Sequence, residues 1–453
     1  MAKQKAGELN YRCSSCGYTQ TKWLGRCPSC GEWNSFEEAP ILNSYPSSKN
    51  TIEKVIALPL DSVMAQDDSR LSTGLKEFDR VLGGGAIKRS SIIVAGEPGI
   101  GKSTLLLQVA ALTGKKVLYV SGEESAGQIR SRVDRLKLPT SNIELLCASR
   151  LEDIDFVLNK SSPIFVIIDS IQTIHSSEAG IIPGTINQLK YCANELVSWV
   201  KERDAVLFLT AHVTKEGNIA GPKALEHLVD AVIYFERNED DIRFLRALKN
   251  RFGSIDELGI FSMDEKGLNS VEEVSTLFIT NRQKELPSGA ATVPIIEGSR
   301  VFMVELQALT VPAKGGITRV FSDNIDSARV NRVAAILEKR VGIKFSDQDI
   351  YVNVAGGIKI KEPACDLALA VALYSSRTDL PPKVGATYIG ELSLAGEVRS
   401  VKKIVPRIKA ANSLGFEFYY TAETQERDDM TAFKKDILTV KNIKDAIKLI
   451  FSA

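Results

Sequence analysis

Between about Val55 and Met263 the chain alternates two kinds of apolar pattern. Short continuous runs ("SIIVAG", "KVLYVSG", "FVIIDS", "AVLFLTAH", "AVIYFE") predict strands buried on both faces. Between them, "STLLLQVAALTG" and "TINQLKYCANELVSWVKER" carry apolar residues at helical spacing. Strands apolar on both faces and separated by helices predict a parallel sheet covered on both sides. After Glu265 the pattern changes. "ATVPIIEGSRVFMVELQALTVPA" reads as antiparallel strands, and helices are expected at "SARVNRVAAILEKR" and around "DLALAVALYSS". A polar run, Leu42 to Thr51, reads as a linker behind a short cysteine-bearing segment. The expected division is 1–40, a metal-binding module; 41–54, a linker; 55–275, an α/β domain; and 276–453, an α+β domain.

The totals narrow the class without naming a partner. The chain has 453 residues, too many for one ordinary core. Its composition, 44% hydrophobic and 25% charged, is that of a soluble globular protein. A formal net charge of +1 gives no general attraction to nucleic acid or membrane, so such binding would need local patches. The first residues are not expected to act as a signal peptide, and no apolar run is long enough to span a bilayer.

Four of the seven cysteines form two C-x-x-C pairs, Cys13 with Cys16 and Cys27 with Cys30, each followed by Gly. A tight C-x-x-C turn presents two thiolates to one ion, and two such knuckles complete a closed tetrahedral Zn²⁺ site. A segment this short would draw much of its folding free energy from the metal. Four thiolates leave no open position for catalysis. Cys147, Cys192 and Cys365 are scattered and read as small core residues.

The stretch Gly96, Glu97, Pro98, Gly99, Ile100, Gly101, Lys102, Ser103, Thr104 fits G-x-x-x-x-G-K-[ST], between a predicted strand and a predicted helix. Glycines there let backbone N–H groups turn inward on the phosphates of ATP, and the helix N-terminus adds its positive end. Lys102 is expected on the β- and γ-phosphates and Ser103 on Mg²⁺. "PIFVIIDS" ends an apolar strand in Asp169, the second candidate for Mg²⁺ contact. "VLYVSGEES" ends in Glu123 and Glu124. Glu123, the first residue after the Gly, is the candidate for orienting the attacking water.

"RLSTGLKEFDRVLGGGAIKRSSIIVAGEPGIGKST" is similar to the start of a RecA-type ATPase core. With the Cys₄ knuckles, the segment "KNRFG" (Lys249 to Gly253) and the C-terminal pattern, the whole chain resembles the bacterial RadA (Sms) family. The resemblance implies an α/β fold: a RecA-like P-loop core, an N-terminal zinc knuckle and a C-terminal α+β Lon-protease-like domain. It further implies a cytoplasmic, hexameric ring that hydrolyses ATP on single-stranded DNA. Such a ring extends branched recombination intermediates made by the RecA recombinase. In such rings ATP lies between subunits, so Lys249 and Arg251 are expected to reach the neighbour's γ-phosphate, with a basic pair for DNA phosphates as the alternative. Two segments, 171–190 and 212–230, are expected as mobile loops facing the channel, with Lys215 and Lys223 on the DNA backbone. His212 either senses the γ-phosphate or is a structural hydrogen-bonding residue.

The C-terminal "IYVNVAGGIKIKEPACDLALAVALYSS" resembles the proteolytic domain of Lon, in which a Ser and a distant Lys form the catalytic dyad. Here Ala364 stands at the Ser position and Val405 at the Lys position, with Lys402 and Lys403 nearby. Cys365 is one place off, turned by roughly 100° on a helix. An inactive protease fold follows, used for ring assembly and DNA contact. Arg319, Arg329, Arg332, Lys339 and Arg340 are candidates for a basic face. The competing readings are an ATP-dependent protease and a nucleotide-switched scaffold without motor activity.

Overall fold

The computed structural model describes residues 10–14, 19–20, 22–28, 31–39, 69–180, 182, 185–212, 223–237, 241–271, 279, 286–313, 318–423 and 437–451. It divides into two units, Met1–Asp68 and Ser69–Ala453.

In the first unit three short antiparallel strands pair in the order Thr19–Gln20, Asn10–Cys13, Phe36–Ala39, with Cys13 opposite Phe36. Among the described residues, Cys13, Cys27 and Phe36 form the buried cluster, with Tyr11 packed against it. A core of that size contributes little folding free energy by itself, which suits a fold organised around a metal. The Cys27 turn closes when Gly31 N–H donates to the Cys27 carbonyl at 2.9 Å, with Gly31 at φ +77°.

The second unit contains a nine-stranded sheet. Its order is Gly267–Ser270, Leu258–Asp264, Ile242–Asn250, Ala231–Arg237, Ser90–Gly96, Val206–His212, Phe165–Asp169, Val117–Ser121, Ile143–Cys147. Alternation along the strands sorts the core into two layers. Ile92, Val94, Tyr119, Ile167 and Phe208 face the helices Lys102–Leu112 and Ala126–Leu136. Ile93, Ala95, Leu118, Val120, Ile168 and Leu209 face Leu151–Ser161 and Ile186–Lys201. The last six strands in that order are parallel, as the sequence predicts. The other three are antiparallel, so the sheet is mixed. Arg237 and Ile242 are too close in sequence for a crossover helix, and the chain can only turn back.

The remaining residues build a four-stranded sheet, Ala290–Glu297, Arg300–Pro312, Gln348–Val354, Val320–Ser322, packed on the helices Ser327–Arg340 and Asp366–Thr378. Ser327–Arg340 starts where the pattern places it. The Asp326 carboxylate accepts from the Ala328 N–H and satisfies one of the first-turn donors. A parallel sheet of three strands, Ala386–Ile389, Phe418–Thr421, Ile437–Thr439, completes the α+β region. Among the described residues no helix is long and apolar enough to cross a membrane.

Candidate nucleotide-hydrolysis site

The loop Gly96–Thr104 joins the strand Ser90–Gly96 to the helix Lys102–Leu112 at the C-terminal edge of the parallel strands. Two of its glycines are at positive φ, Gly99 at +78° and Gly101 at +114°. Gly96 is required for a different reason. A Cβ there would stand 2.6 Å from the carbonyl oxygen of Phe235 on the adjacent strand. Ile100 is the loop's buried anchor, and its carbonyl accepts from the Nε of buried Arg243 at 2.9 Å. Glu97 and Pro98 are exposed, while Ser103 and Thr104 are half-buried in the first helical turn.

Lys102 is buried and its ammonium folds onto the loop, donating to the carbonyls of Gly96 and Glu97, both at 2.9 Å. His212 Nδ1 lies 3.2 Å from the same ammonium. With Nδ1 accepting, the ring proton sits on Nε2, which faces Glu123 Oε1 at 3.6 Å. Burial lowers the Lys102 pKa to about 8, against the attraction of Asp169 and Glu123. Lys102, His212, Glu123 and Asp169 therefore form one electrostatic cluster.

Asp169 ends its strand between the strands Val206–His212 and Val117–Ser121. Thr210 Oγ1 donates to Asp169 Oδ1 at 2.7 Å and Tyr119 Oη donates to Oδ2 at 2.6 Å. Both donors fix the orientation of the carboxylate. Tyr119 is itself buried, and burial with the adjacent Asp169 charge pushes its pKa well up, so it stays a donor. The two glutamates diverge. Glu123 Oε1 accepts from Ser170 Oγ at 2.6 Å, inside the cluster. Glu124 turns away to pair with Arg132. Gly122 permits this turn, since a Cβ there would stand 2.0 Å from Thr173 Oγ1.

"KNRFG" ends the antiparallel strand Ile242–Asn250. Asn250 pairs with Ala231, whereas Phe235, four residues on, pairs with Gly96. The segment therefore lies at the opposite edge of the sheet, roughly 13 Å or more along the strands from its own phosphate loop. Lys249 Nζ donates to the carbonyls of Glu226 and Val229, at 2.5 and 2.6 Å. Arg251 pairs with Asp230 at 3.4 Å and is half-exposed. Asp230 in turn accepts from the Ser91 N–H and hydroxyl.

Other expectations fare differently. Cys13 and Cys27 lie together in the buried cluster of the first unit, a donor set that fits a soft cation, while Cys16 and Cys30 fall outside the described residues. Lys215 also falls outside them, and Lys223 opens the short helix Lys223–Glu226. The first half of the expected loop 171–190 is packed, with Ile171, Ile174 and Ser176 buried. Glu152 accepts from Ser176 and Ser177, and Gln188 bonds both the N–H and the carbonyl of Ser176, so helices on either side grip the segment. Cys147 is exposed rather than in the core, because Ile143–Cys147 is the sheet's edge strand. Arg329 does not belong to a basic face. It is largely buried, paired with Asp366 and bonded to the carbonyls of Lys361 and Glu362. Ala364 and Val405 are buried, Lys402 and Lys403 exposed. The Cys365 thiol is buried and pushed up to about 12, chiefly by desolvation. Beside it, buried Arg407 makes a two-pronged pair with Glu362 at 2.8 and 2.6 Å.

Sequence reasoning does not find Tyr119, Thr210, Ser170 or Arg243. Tyr119, Thr210 and Ser170 each sit within a run read for its apolar pattern, and the polar role of all four depends on which strands become neighbours.

Three family models match the chain: a rubredoxin metal binding domain over residues 11–38, KaiC over 71–147, and subunit ChlI of Mg-chelatase over 320–424. The DNA repair protein RadA of Treponema pallidum is 65% identical over 427 residues, 94% of each chain. RadA of Bacillus subtilis is 44% identical over 92% of each, and that of Listeria monocytogenes 41% over 99% of each. A KaiC-like protein from Pyrococcus horikoshii aligns over 45% of this chain and 100% of its own at 18% identity, with a TM-score of 0.39. With a zinc-ribbon module, a RecA-like ATPase core and a Lon-like C-terminal domain, and with relatives of this identity along nearly its whole length, the chain belongs to the RadA family of DNA repair proteins.

Proposed function

We propose that this protein is an ATP-driven motor on single-stranded DNA, working as a hexameric ring that extends branched recombination intermediates alongside a RecA recombinase. The observation that carries this reading is the position of "KNRFG". It lies at the sheet edge opposite its own phosphate loop and out of reach of its own nucleotide, which supports a role for Arg251 at a nucleotide held by another subunit. Hydrolysis then requires assembly. Lys102 and the loop N–H groups bind the phosphates of ATP. Glu123, held by Ser170, orients the attacking water and accepts its proton. His212 links the Lys102 ammonium to Glu123 and begins the segment that carries Lys215. Arg251 and Lys249 of the adjacent subunit stabilise the charge that develops on the γ-phosphate. Ser103 and Asp169 are the residues that hold Mg²⁺, which when bound neutralises phosphate charge. Zn²⁺ is assigned to Cys13, Cys16, Cys27 and Cys30. The C-terminal domain serves assembly and DNA contact. Proteolysis is not part of the function, because Ala364 has no hydroxyl and the Cys365 thiol is buried and protonated.

The test is ATP hydrolysis by the purified protein with and without single-stranded DNA, alongside Lys249→Ala. Stimulation by DNA that the variant loses supports the motor. A rate indifferent to DNA overturns it and favours a nucleotide-switched scaffold.

A further inference from the structure

The strands Ala290–Glu297 and Arg300–Pro312 are joined by a tight turn at Gly298 and Ser299. This hairpin end belongs to the C-terminal domain but docks on the ATPase core, within a few residues of "KNRFG". Arg300 and Glu77 form a buried ion pair, with Arg300 Nη2 2.6 Å from both carboxylate oxygens. Glu77 also accepts from the Ile260 N–H at 3.0 Å, on the strand that follows the motif. Ser299 Oγ donates to Glu257 at 2.7 Å, and Arg246 Nη1 donates to Glu297 at 2.6 Å. Gly298, at φ +65°, presses on the chain so closely that a Cβ would stand 2.1 Å from the Asp256 carbonyl oxygen.

The helix that carries Glu77, Lys76–Val81, leads into Gly83, Gly84 and Gly85, which brace the motif from its other side. Asn250 Nδ2 donates to the Val81 carbonyl at 3.3 Å. Arg70 donates to the carbonyls of Leu82 and Gly85 and, at 2.6 Å, to that of Phe252. Gly253 meets Gly83 backbone to backbone, and an added Cβ would lie 3.3 Å from Gly83 Cα. The motif's exposed tip is thus held by one helix–turn unit, and that unit is clamped by Arg300.

We propose that the Glu297–Arg300 hairpin is a strut by which the C-terminal domain sets where Arg251 reaches, with Arg300 and Glu77 as positioning residues for hydrolysis in the adjacent subunit. The inference rests on the assignment of Arg251 to a neighbour's nucleotide. Charges paired in a buried site hold one geometry, because separating them leaves each uncompensated. A shift of the tip by about 1 Å is enough to cost on the order of 10²-fold in rate.

The experiment uses full-length protein and subunit mixing. Gly298→Ala forces the hairpin off Asp256 without touching a charge. Glu77→Met with Arg300→Met replaces the pair by apolar volume, which a fold tolerates better than one unpaired charge. Each variant is expected to bind ATP with wild-type affinity and to hydrolyse it about ten- to a hundredfold more slowly. Mixed with Lys102→Ala subunits, which have an impaired phosphate loop but an undisturbed strut, each should regain activity. Arg251→Ala mixed with Lys102→Ala is the control. Recovery in the control but not with the strut variants overturns the strut and leaves the Arg251 assignment standing. No recovery in either overturns both. Wild-type rates for the strut variants alone also overturn the strut.

Discussion

The Asp169 carboxylate offers a direct test of the site. Tyr119→Phe keeps the buried ring and removes one oxygen, the donor 2.6 Å from Asp169 Oδ2. A hydrogen bond to a charged acceptor contributes about 1.5–3 kcal/mol net. At 1.4 kcal/mol per tenfold that is roughly ten- to a hundredfold, the range seen when partners of metal-ligating groups are removed. The loss should appear in the Mg²⁺ dependence of hydrolysis. Thr210 still holds Oδ1 at 2.7 Å, so the carboxylate remains near its place and excess Mg²⁺ can restore the rate. The assay is ATPase rate against Mg²⁺ at fixed ATP. Half-saturation should move up about tenfold or more, with kcat recovered at high Mg²⁺. Thr210→Val should act in the same direction. The double variant should lose more or less than the sum of the single losses, because both donors serve one group. A Tyr119→Phe titration superimposable on wild type would refute the assignment of Asp169 to Mg²⁺.

Four other outcomes are expected. Lys102 has its pKa lowered from 10.5 to about 8, so between those values the folded chain binds fewer protons than the unfolded one. Its burial costs stability below pH 8, and that cost fades as pH rises towards 10.5. ATP phosphates favour the ammonium, so binding near pH 8.5 should take up protons, measured by calorimetry in buffers of different ionisation enthalpy. Lys102→Arg should abolish the uptake. Arg407→Ala leaves half-buried Glu362 without its two-pronged partner and should cost about 1.5–3 kcal/mol in denaturant unfolding, part of it recovered by Arg407→Met with Glu362→Met. Cys365, pushed up to about 12, should resist iodoacetamide at pH 8 until the protein is unfolded, whereas exposed Cys147 should react at once. Chelation should remove one Zn²⁺ per chain and unfold the first unit while the thermal transition of Ser69–Ala453 is retained, followed by metal analysis and calorimetry.

What the sequence discloses depends on how local the cause is. The phosphate loop is legible because its glycines, Lys102 and flanking elements are contiguous. The helix Ser327–Arg340 is legible because Asp326 and the apolar spacing lie together. Asp169 can be found as a strand-ending carboxylate. Tyr119 and Thr210 cannot be found as its partners, because the strand order brings residues 50 and 41 positions away to its two sides. The first half of the segment 171–190 is misjudged for the same reason. The segment's Gly and Pro suggest mobility, but Glu152 and Gln188 arrive from separate helices to bind Ser176. Cys147 illustrates a further limit, since an apolar run does not reveal which strand becomes the sheet's edge.

The short step from Arg237 to Ile242 has consequences beyond the sheet it completes. A parallel continuation would return every strand to the phosphate edge, and a cation at the end of "IRFLRALKNR" would emerge near its own nucleotide. The antiparallel turn instead carries Arg251 to the far edge, where Asp230, the Arg70-braced turn and the Glu297–Arg300 hairpin surround its segment. Two of those three supports come from the ATPase core and one from the C-terminal domain. On the proposed assignment of Arg251, a cation out of reach of its own site and supported by a second domain ties hydrolysis to the neighbour and to the C-terminal domain at once. On this reasoning truncation after the ATPase core should lower the rate through Arg251 even where the phosphate loop is intact. Adding Lys102→Ala full-length subunits should restore it wherever the truncated chain still assembles with them.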